Sequence, residues 1–352
     1  MARINFILPS LSTKPVGGVK IMFQFANLLS AKGHDITILY SVTRPFKKNR
    51  TPVWLRMTIN QLRGVRAKWF NLDHKIIQKQ IPEINDKYVP DADATLGTWW
   101  QVAYAINELS ASKGNKCNLI QDYEVWTGQE DRVHQSYRLP LRHCVIARYL
   151  QDIVEKYSGV RPPLTPLAID TSHFRLTKDI KQRDASIIML YSREPRKGSA
   201  FGLEAFSILK QKIPYLRVTL FSVYQRPDSI PAWIDFHTRP ANLPELYNDN
   251  AVFFSPSLGE GWALPPAEAM ACGCAVVCTD IGGHRDYAID GETALLVPPK
   301  EPAVMADAIL RVIANVELRL KLATAAHKLI NTEFTWEASV TRLESILLRK
   351  SS

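Results

Sequence analysis

Nowhere in the 352 residues does an apolar run approach the roughly 20 residues that a membrane-spanning helix needs. The opening MARINFILPS also holds too short an apolar stretch for a signal peptide, so the expected compartment is the cytoplasm. Cysteine is sparse. Cys117, Cys144, Cys272, Cys274 and Cys278 are an odd number, and the last three crowd into the apolar run CGCAVVCTD rather than adopting metal-ligand spacing. They read as reduced core thiols, which excludes a disulfide framework and leaves no metal site to expect. Lone histidines such as His134 and His143 form neither an H-x-E nor an H-x3-H pattern and read as structural. Internal repeats with a period of roughly 20 to 50 residues are missing, as are low-complexity tracts, which excludes solenoids and disordered tails. What remains is a chain with 46% hydrophobic residues, long enough for two domains that each bury a core.

Acid is nearly missing from one stretch. Residues 44–79, RPFKKNRTPVWLRMTINQLRGVRAKWFNLDHKIIQK, hold ten Lys+Arg against the single acid Asp73, with Trp54, Leu55, Ile59, Leu62, Trp69, Phe70 and Ile76 interleaved. The imbalance colours the whole first half: residues 1–165 carry 23 Lys+Arg and 13 Asp+Glu, a difference of +10, whereas residues 166–352 carry 21 of each. Two readings fit the stretch. One is an amphipathic surface element lying on anionic lipid headgroups; the other is a solvated helical face around an ordinary core edge. Nucleic-acid binding is not expected, because no recognised module accompanies the charge.

Periodicity outlines the architecture. RINFILP is a short apolar strand, STKPVGGVK a glycine-bearing turn, IMFQFANLLSAKGH a helix ending at Gly33 and DITILY the next strand. Strand, turn, helix, strand points to a parallel sheet with a crossover helix, which ATLGTWW, CNLIQDY and HCVIA extend. The proline-rich VRPPLTPLA marks a linker, ending a first domain at about residue 165. A second alternation runs through ASIIMLYS, GSAFGLEAFSILKQK, LRVTLFS, LPELYND, AVFFSPS, PPAEAMAC, CAVVCTD, TALLVPP and two helices over about 301–332. The expected fold is α/β, with two doubly wound, Rossmann-like domains (1–165 and 166–335) whose facing strand ends form a ligand cleft. The last helix, about 336–352, either closes the second domain or crosses back to the first.

Three segments carry candidate chemistry. In PVGGVK, Gly17 and Gly18 either serve a tight turn or let backbone approach a ligand closely at a helix start, where exposed amides favour an anion; neither G-x-G-x-x-G nor the P-loop pattern is met. In LYSREPRKGSAFG, Arg193, Arg196 and Lys197 lie between a strand and a helix, where cations and a helix amino terminus favour a diphosphate. In SPSLGEGWALPPAEAMACG, Glu260 and Gly261 lie in a loop at a strand's carboxyl end, Pro265 and Pro266 fit a first helical turn, and Glu268 follows on the helix. The backbone amides of Trp262, Ala263 and Leu264 fall between the two carboxylates. A carboxylate accepts two hydrogen bonds at once, which suits a vicinal diol; alternatively Glu268 complements the helix dipole.

Glu260 and Glu268, spaced E-x7-E within GWALPPAEAMACG and followed by VVCTDIGGHRDYAIDGETALLVPP, resemble the corresponding region of glycosyltransferase family 4. The GGV turn, LLSAKGHDITIL, LAIDTSHF, SREPRKG and TWEASV extend the resemblance over nearly the whole chain. It implies a GT-B fold and metal-independent, retaining transfer of a sugar from a nucleotide diphosphate donor, with no cofactor. By motif it implies that Glu268 holds the ribose hydroxyls, Glu260 the donor sugar, and Arg193 and Lys197 the diphosphate. Gly17 and Gly18 would let the first domain close over the donor, and TRPANLPELY would supply the base contacts through Arg239, Leu243 and Tyr247. His284, in GGHRDY after a strand, reads as a structural histidine, with a place near the donor phosphates as the alternative. No dedicated base is required; a covalent mechanism would draw on Asp122.

The chain departs from the family pattern where histidines are expected to meet the donor sugar. Trp99 stands in one place, and Gln121 with Asp122 replaces a His-Asp pair in the next. An indole suits a less polar sugar, and QDYE is similar to a stretch in some bacterial polysaccharide rhamnosyltransferases. The expected donors are dTDP-L-rhamnose, GDP-mannose or a UDP-hexose. The expected acceptor is a glycan or lipid-linked glycan in cell-surface polysaccharide synthesis, met at the inner face of the plasma membrane through residues 44–79. Two other readings share the architecture: a nucleotide-sugar epimerase or sugar-phosphate synthase, and a catalytically inactive scaffold.

Overall fold

The computed structural model describes residues 1–13, 15–47 and 51–349, Arg63 by its backbone only. They form two compact units, one comprising Met1–Pro166 and the chain from Glu337 onward, the other Leu167–Trp336. No described helix is long and apolar enough to cross a membrane.

Unit 1 alternates β1 (Arg3–Leu8), α1 (Gly17–Ala31), β2 (Asp35–Ser41), α2 (Val53–Arg63), β3 (Ile77–Ile81), β4 (Ala94–Thr98), α3 (Trp100–Asn107), β5 (Asn115–Ile120), α4 (Glu130–Ser136), β6 (Arg142–Val145) and α5 (Arg148–Ser158). Its central strands β1, β2 and β4 are buried along nearly their whole length because helices cover both faces of a parallel sheet, whereas the edge strand β3 is mostly polar and has a single buried residue. α1 shows why the first helix docks. Val19, Met22, Phe23, Ala26 and Leu29 recur at helical spacing and are buried, each large side chain removing about 1.5–3 kcal/mol of apolar surface from water.

Unit 2 alternates β7 (Ser186–Leu190), α6 (Ser199–Lys212), β8 (Arg217–Ser222), β9 (Asp235–Thr238), α7 (Leu243–Asp249), β10 (Val252–Ser255), α8 (Leu264–Ala271), β11 (Ala275–Thr279), β12 (Ala294–Val297), α9 (Pro302–Ala314) and α10 (Val316–Glu333). The strand orders are β3-β2-β1-β4-β5-β6 and β12-β11-β10-β7-β8-β9, every pairing parallel. Counted from its own first strand, unit 2 repeats the order of unit 1, so each sheet reverses direction once. The reversal lies between β1 and β4 in one and between β7 and β10 in the other, and ligands bind outside the strand ends at such a point.

Unit 2 begins and ends at one place. Ile169 N donates to Phe334 O at 3.2 Å, joining its entry to its exit. The final helix, α11 (Trp336–Leu348), then belongs to unit 1 from Glu337. There Glu344 meets His34 Nε2 at 3.0 Å and Lys32 Nζ, and the Asn115 amide donates to Leu347 O at 2.8 Å.

The basic stretch is not one surface element. Its second part is internal: Ile76 is buried, the edge strand β3 pairs with β2, and Trp69 and Phe70 pack their rings on Phe23 with centroids 5.5 and 5.4 Å away. The Trp69 indole N–H donates to Ser12 O at 2.9 Å. Only α2 keeps an apolar outer face, with Trp54 68% and Leu62 84% exposed. Lys48 and Arg50 lie outside the described residues. All five cysteines are buried thiols.

Candidate functional site

The loops that follow β7 and β10 meet at the sheet reversal of unit 2. The contact is made by backbone. Gly198 adopts φ +65°, and a Cβ there would fall 1.9 Å from the carbonyl oxygen of Pro256. Beside it, Leu258 N donates to Arg196 O at 2.7 Å. This approach places Lys197, at the end of one loop, against Glu260 in the other. The ammonium donates to both carboxylate oxygens, at 2.7 and 2.9 Å, and the Ser257 hydroxyl donates to Oε1 at 2.8 Å. Gly283 closes the far side, where a Cβ would lie 2.5 Å from Glu260 O.

Glu268, the fifth residue of α8, is 7% exposed and accepts from the Tyr247 hydroxyl at 3.4 Å. Pro265 and Pro266 start that helix without loss, since first-turn amides have no partner within a helix. The two carboxylates share a neighbour. Tyr287 donates to Ala263 O at 2.8 Å, and its pKa is raised by burial and by nearby anions that include Glu260 and Glu268.

Several expected ligand contacts are in fact supports. Tyr247 cannot touch a nucleobase, because its ring is wholly buried among Phe174, Phe221 and Phe253; it acts through Glu268. The Ala263 amide is already committed to Gly283 O at 3.0 Å. Trp262 is buried, its ring packed on Tyr287 and Phe334. His284 is also fully buried, with Nδ1 on Thr279 O at 2.7 Å and Nε2 beside the Ser255 hydroxyl at 3.2 Å. Burial lowers its pKa, so a neutral ring donates through Nδ1 and accepts at Nε2, bracing the strand ends beneath the loops.

Arg193 and Arg239 are exposed, and both rest on the turn after β8. The Arg193 guanidinium lies over the Tyr224 ring at 5.1 Å. Arg239, at φ +48°, donates through its amide to Ser222 O at 2.7 Å and through Nε to Val223 O at 3.1 Å. Tyr224 itself is pinned by Ser222 Oγ and Thr238 Oγ1. Sequence reading passes over Tyr224, although an aromatic residue just past a parallel strand's carboxyl end was the available signal. Arg196 faces Glu194 at 3.6 Å.

Unit 1 gathers its candidates at its own reversal. The Gln121 amide donates to Gly18 O at 3.1 Å and to Thr98 Oγ1 at 2.9 Å, linking the start of α1 to the ends of β4 and β5. The position of a Cβ on Gly17 is open. Asp122 accepts from the Tyr123 amide at 2.9 Å. Next to it is a group the sequence did not single out. Glu124 is buried, its carboxyl accepts the Trp100 amide at 2.8 Å, and burial pushes its pKa up to about 8 despite that bond. A depression of about 940 Å³ in unit 1 lies elsewhere, lined by Asp93, Asn115, Lys116 and Arg142 at the amino ends of the strands.

Comparison with known proteins follows the same outline. Anabaena HepE, solved with UDP-glucose, superposes with a TM-score of 0.72 at 14% identity, covering 98% of each chain. The fold is GT-B. Within this GT-B chain, residues 185–315 match the family model described as glycosyl transferases group 1, a match that holds β7, Lys197, Glu260 and Glu268. D-inositol 3-phosphate glycosyltransferase of Corynebacterium diphtheriae is 34% identical over 107 residues, 30% of this chain and 25% of that protein. O-antigen chain mannosyltransferase B of Escherichia coli is 27% identical over 162 residues, 42% of each. The chain thus matches between a quarter and about two fifths of the length of these curated relatives.

Proposed function

We propose that this chain is a retaining glycosyltransferase that moves a sugar from a nucleotide diphosphate donor to a glycan or lipid-linked acceptor. The observation that carries the reading is the meeting of Lys197, Glu260 and the α8 carboxylate Glu268 at a parallel-sheet reversal. The UDP-glucose bound by HepE and the mannosyltransferase relative support a hexose donor, so UDP-hexose and GDP-mannose stand ahead of dTDP-L-rhamnose.

In this reading Glu268 holds the ribose diol and Glu260 the donor sugar's hydroxyls. Lys197 exchanges part of its bond to Glu260 for a phosphate oxygen, and Arg193, steadied by Tyr224, supplies a second cation. Breaking the bond between the anomeric carbon and the phosphate oxygen builds negative charge on the diphosphate. Cations and helix amino termini fixed beforehand stabilise that charge where it develops. The acceptor oxygen bonds to the same face of the anomeric carbon, and its proton passes to the departing phosphate oxygen. No protein base, metal or cofactor is required by this scheme.

The test is a thermal-shift series with UDP, GDP and dTDP. A nucleotide at about 100 times its Kd stabilises the native state by about 2.7 kcal/mol. Glu268→Ala, with folding checked by circular dichroism, is expected to weaken binding about 10- to 100-fold, the loss of charge-assisted hydrogen bonds. Should that variant misfold, Glu268→Gln keeps a partner for Tyr247. No shift with any nucleotide, or an unchanged shift in the variant, rejects the reading. Product formed only when a glycan acceptor is present separates transfer from epimerisation.

We further propose that the protein works at an anionic membrane face, touching it with α2. Trp54, Ile59 and Leu62 are exposed there, and Arg44 and Arg56 lie close enough to Lys47 to lower its pKa, mainly by repulsion from Arg44 and then by burial. Such a patch of cations around apolar side chains suits lipid headgroups.

A further inference from the structure

Lys197 and Glu260 hold each other at the two positions assigned to the donor's phosphates and sugar. The ammonium is 2.7 and 2.9 Å from the two carboxylate oxygens, and the Ser257 hydroxyl donates to Oε1 at 2.8 Å. Both side chains are largely withdrawn from water, Lys197 being 20% and Glu260 8% exposed. An ammonium has three N–H donors, so a carboxylate that takes two leaves one for any other acceptor. His284 lies near both members of the pair but adds no positive charge, because burial keeps its ring neutral.

The loops that carry the pair have little freedom to part. Gly198 presses on Pro256 O, Leu258 N donates to Arg196 O at 2.7 Å, Thr279 Oγ1 donates to Ser257 O, and Gly283 leaves no room for a Cβ beside Glu260 O. These contacts fix the points from which the two side chains reach. A phosphate oxygen that draws Lys197 toward itself therefore leaves the Glu260 carboxylate where it was, with the ammonium diverted. Taking one partner from a buried ion pair is costly because the other stays charged and uncompensated.

Donor and spent nucleotide differ in what they give back. A nucleotide diphosphate offers only acceptor oxygens at its phosphate end, and its own negative charge faces the released carboxylate. A nucleotide diphosphate sugar brings hydroxyl donors that take the place of the ammonium on Glu260. We infer that the Lys197–Glu260 pair discriminates between the two, admitting the sugar-bearing donor and working against the nucleotide left after transfer. Once the sugar has gone, the carboxylate recaptures Lys197 and loosens the hold on the diphosphate, which favours release of the product. The inference rests on the glycosyltransferase reading, in which Lys197 meets phosphate and Glu260 meets sugar, and adds which of the two ligands the site prefers.

The experiment titrates the full chain calorimetrically with UDP and UDP-glucose, and with GDP and GDP-mannose. Glu260→Gln keeps the shape of the side chain and an acceptor for Ser257 but has no negative charge to hold Lys197. It is expected to bind UDP or GDP, whichever the wild type takes, about tenfold more tightly than the wild type, and its preference for the sugar-bearing form over the bare nucleotide should fall about tenfold. Unchanged or weaker binding of the bare nucleotide overturns the proposal, and so does an unchanged preference. Should Glu260→Gln fail to fold, as judged by circular dichroism, Ser257→Ala decides in the opposite direction. A carboxylate with one donor fewer depends more on Lys197, so the bare nucleotide should bind about two- to fivefold more weakly while the nucleotide sugar changes less; equal affinities there overturn the proposal. Silence of the wild type toward all four ligands overturns the glycosyltransferase reading and this inference with it, an outcome distinct from binding that Glu260 does not influence.

Discussion

Glu124→Gln is expected to remove a large pH dependence from the stability of unit 1. In the folded chain the carboxyl is pushed from its usual 4.5 to about 8 by burial, with the charge of Asp122 adding to the effect and the Trp100 amide opposing it. A raised carboxyl pKa means that the folded state favours the protonated form. Its contribution is therefore complete below pH 4.5 and is lost as pH climbs toward 8, at about 1.4 kcal/mol per pH unit. From pH 5 to pH 8 the loss reaches about 4 kcal/mol, or roughly 8–16 °C of melting temperature for a unit of this size. The neutral histidines His134, His143 and His284 act with the opposite sign, because burial lowers their pKa values and stability is lost as pH falls through the ordinary histidine range. The informative quantity is hence the difference between wild type and Glu124→Gln, which keeps an acceptor for Trp100 but cannot ionise. Calorimetric melting at half-unit steps should show curves that converge below about pH 4.5 and diverge above it until about pH 8, the variant being the more stable. Parallel curves from pH 5 to 8.5 would refute the argument.

Other perturbations address the two units separately. Tyr224→Leu should weaken UDP or GDP binding about two- to fivefold by releasing Arg193, the scale of one cation–π contact, while Tyr224→Phe should not; equal titrations for all three proteins would discard Tyr224 as a support. Gly198→Ala should destabilise unit 2 by about 2–5 kcal/mol in urea unfolding, since the new Cβ meets both a left-handed backbone and the Pro256 carbonyl. A loss below about 1 kcal/mol would show that the loops yield instead. Removing Trp54 and Leu62 together, or the charges of Lys47, Lys48, Arg50, Arg63 and Arg66, should reduce sedimentation with phosphatidylserine vesicles about tenfold and leave nucleotide binding intact. Equal sedimentation defeats the membrane assignment.

Much of the architecture is legible because parallel strands write themselves as unbroken apolar runs. FIL, ITILY, IIML, VFFS and AVVC all lie within strands of the structure. The two strands that escape notice both lie at sheet edges, although the other two edge strands, β6 and β12, read as apolar runs. β3 reads IQKQI and β9 reads DFHT, and only one of their nine residues is buried, so polarity hides them. α3 and α4, with eight and seven residues, are too short to register a helical period, whereas α5 is amphipathic and its period was there to be read. Among the site residues, the two carboxylates and Lys197 could be named from loop and helix context alone. What spacing could not supply was depth: it gave no means of separating Arg239, on the surface, from Tyr247, eight residues later and wholly enclosed. Nor could it reveal that the Ala263 amide is already bonded, because its partner Gly283 is twenty residues away.

The bond between Ile169 and Phe334 has a bearing on how such a chain can be inherited. Residues 167–336 leave and rejoin the rest at neighbouring points, so in the grammar of gene architecture they are an insertion within a host that begins at β1 and finishes with α11. An insert whose ends already touch carries little loop-closure penalty for its host. It can be exchanged as a cassette, provided that the recipient retains the final helix as part of its own core. A new second unit can thus arrive in one recombination event, while the host fold from β1 to β6 is left as it was.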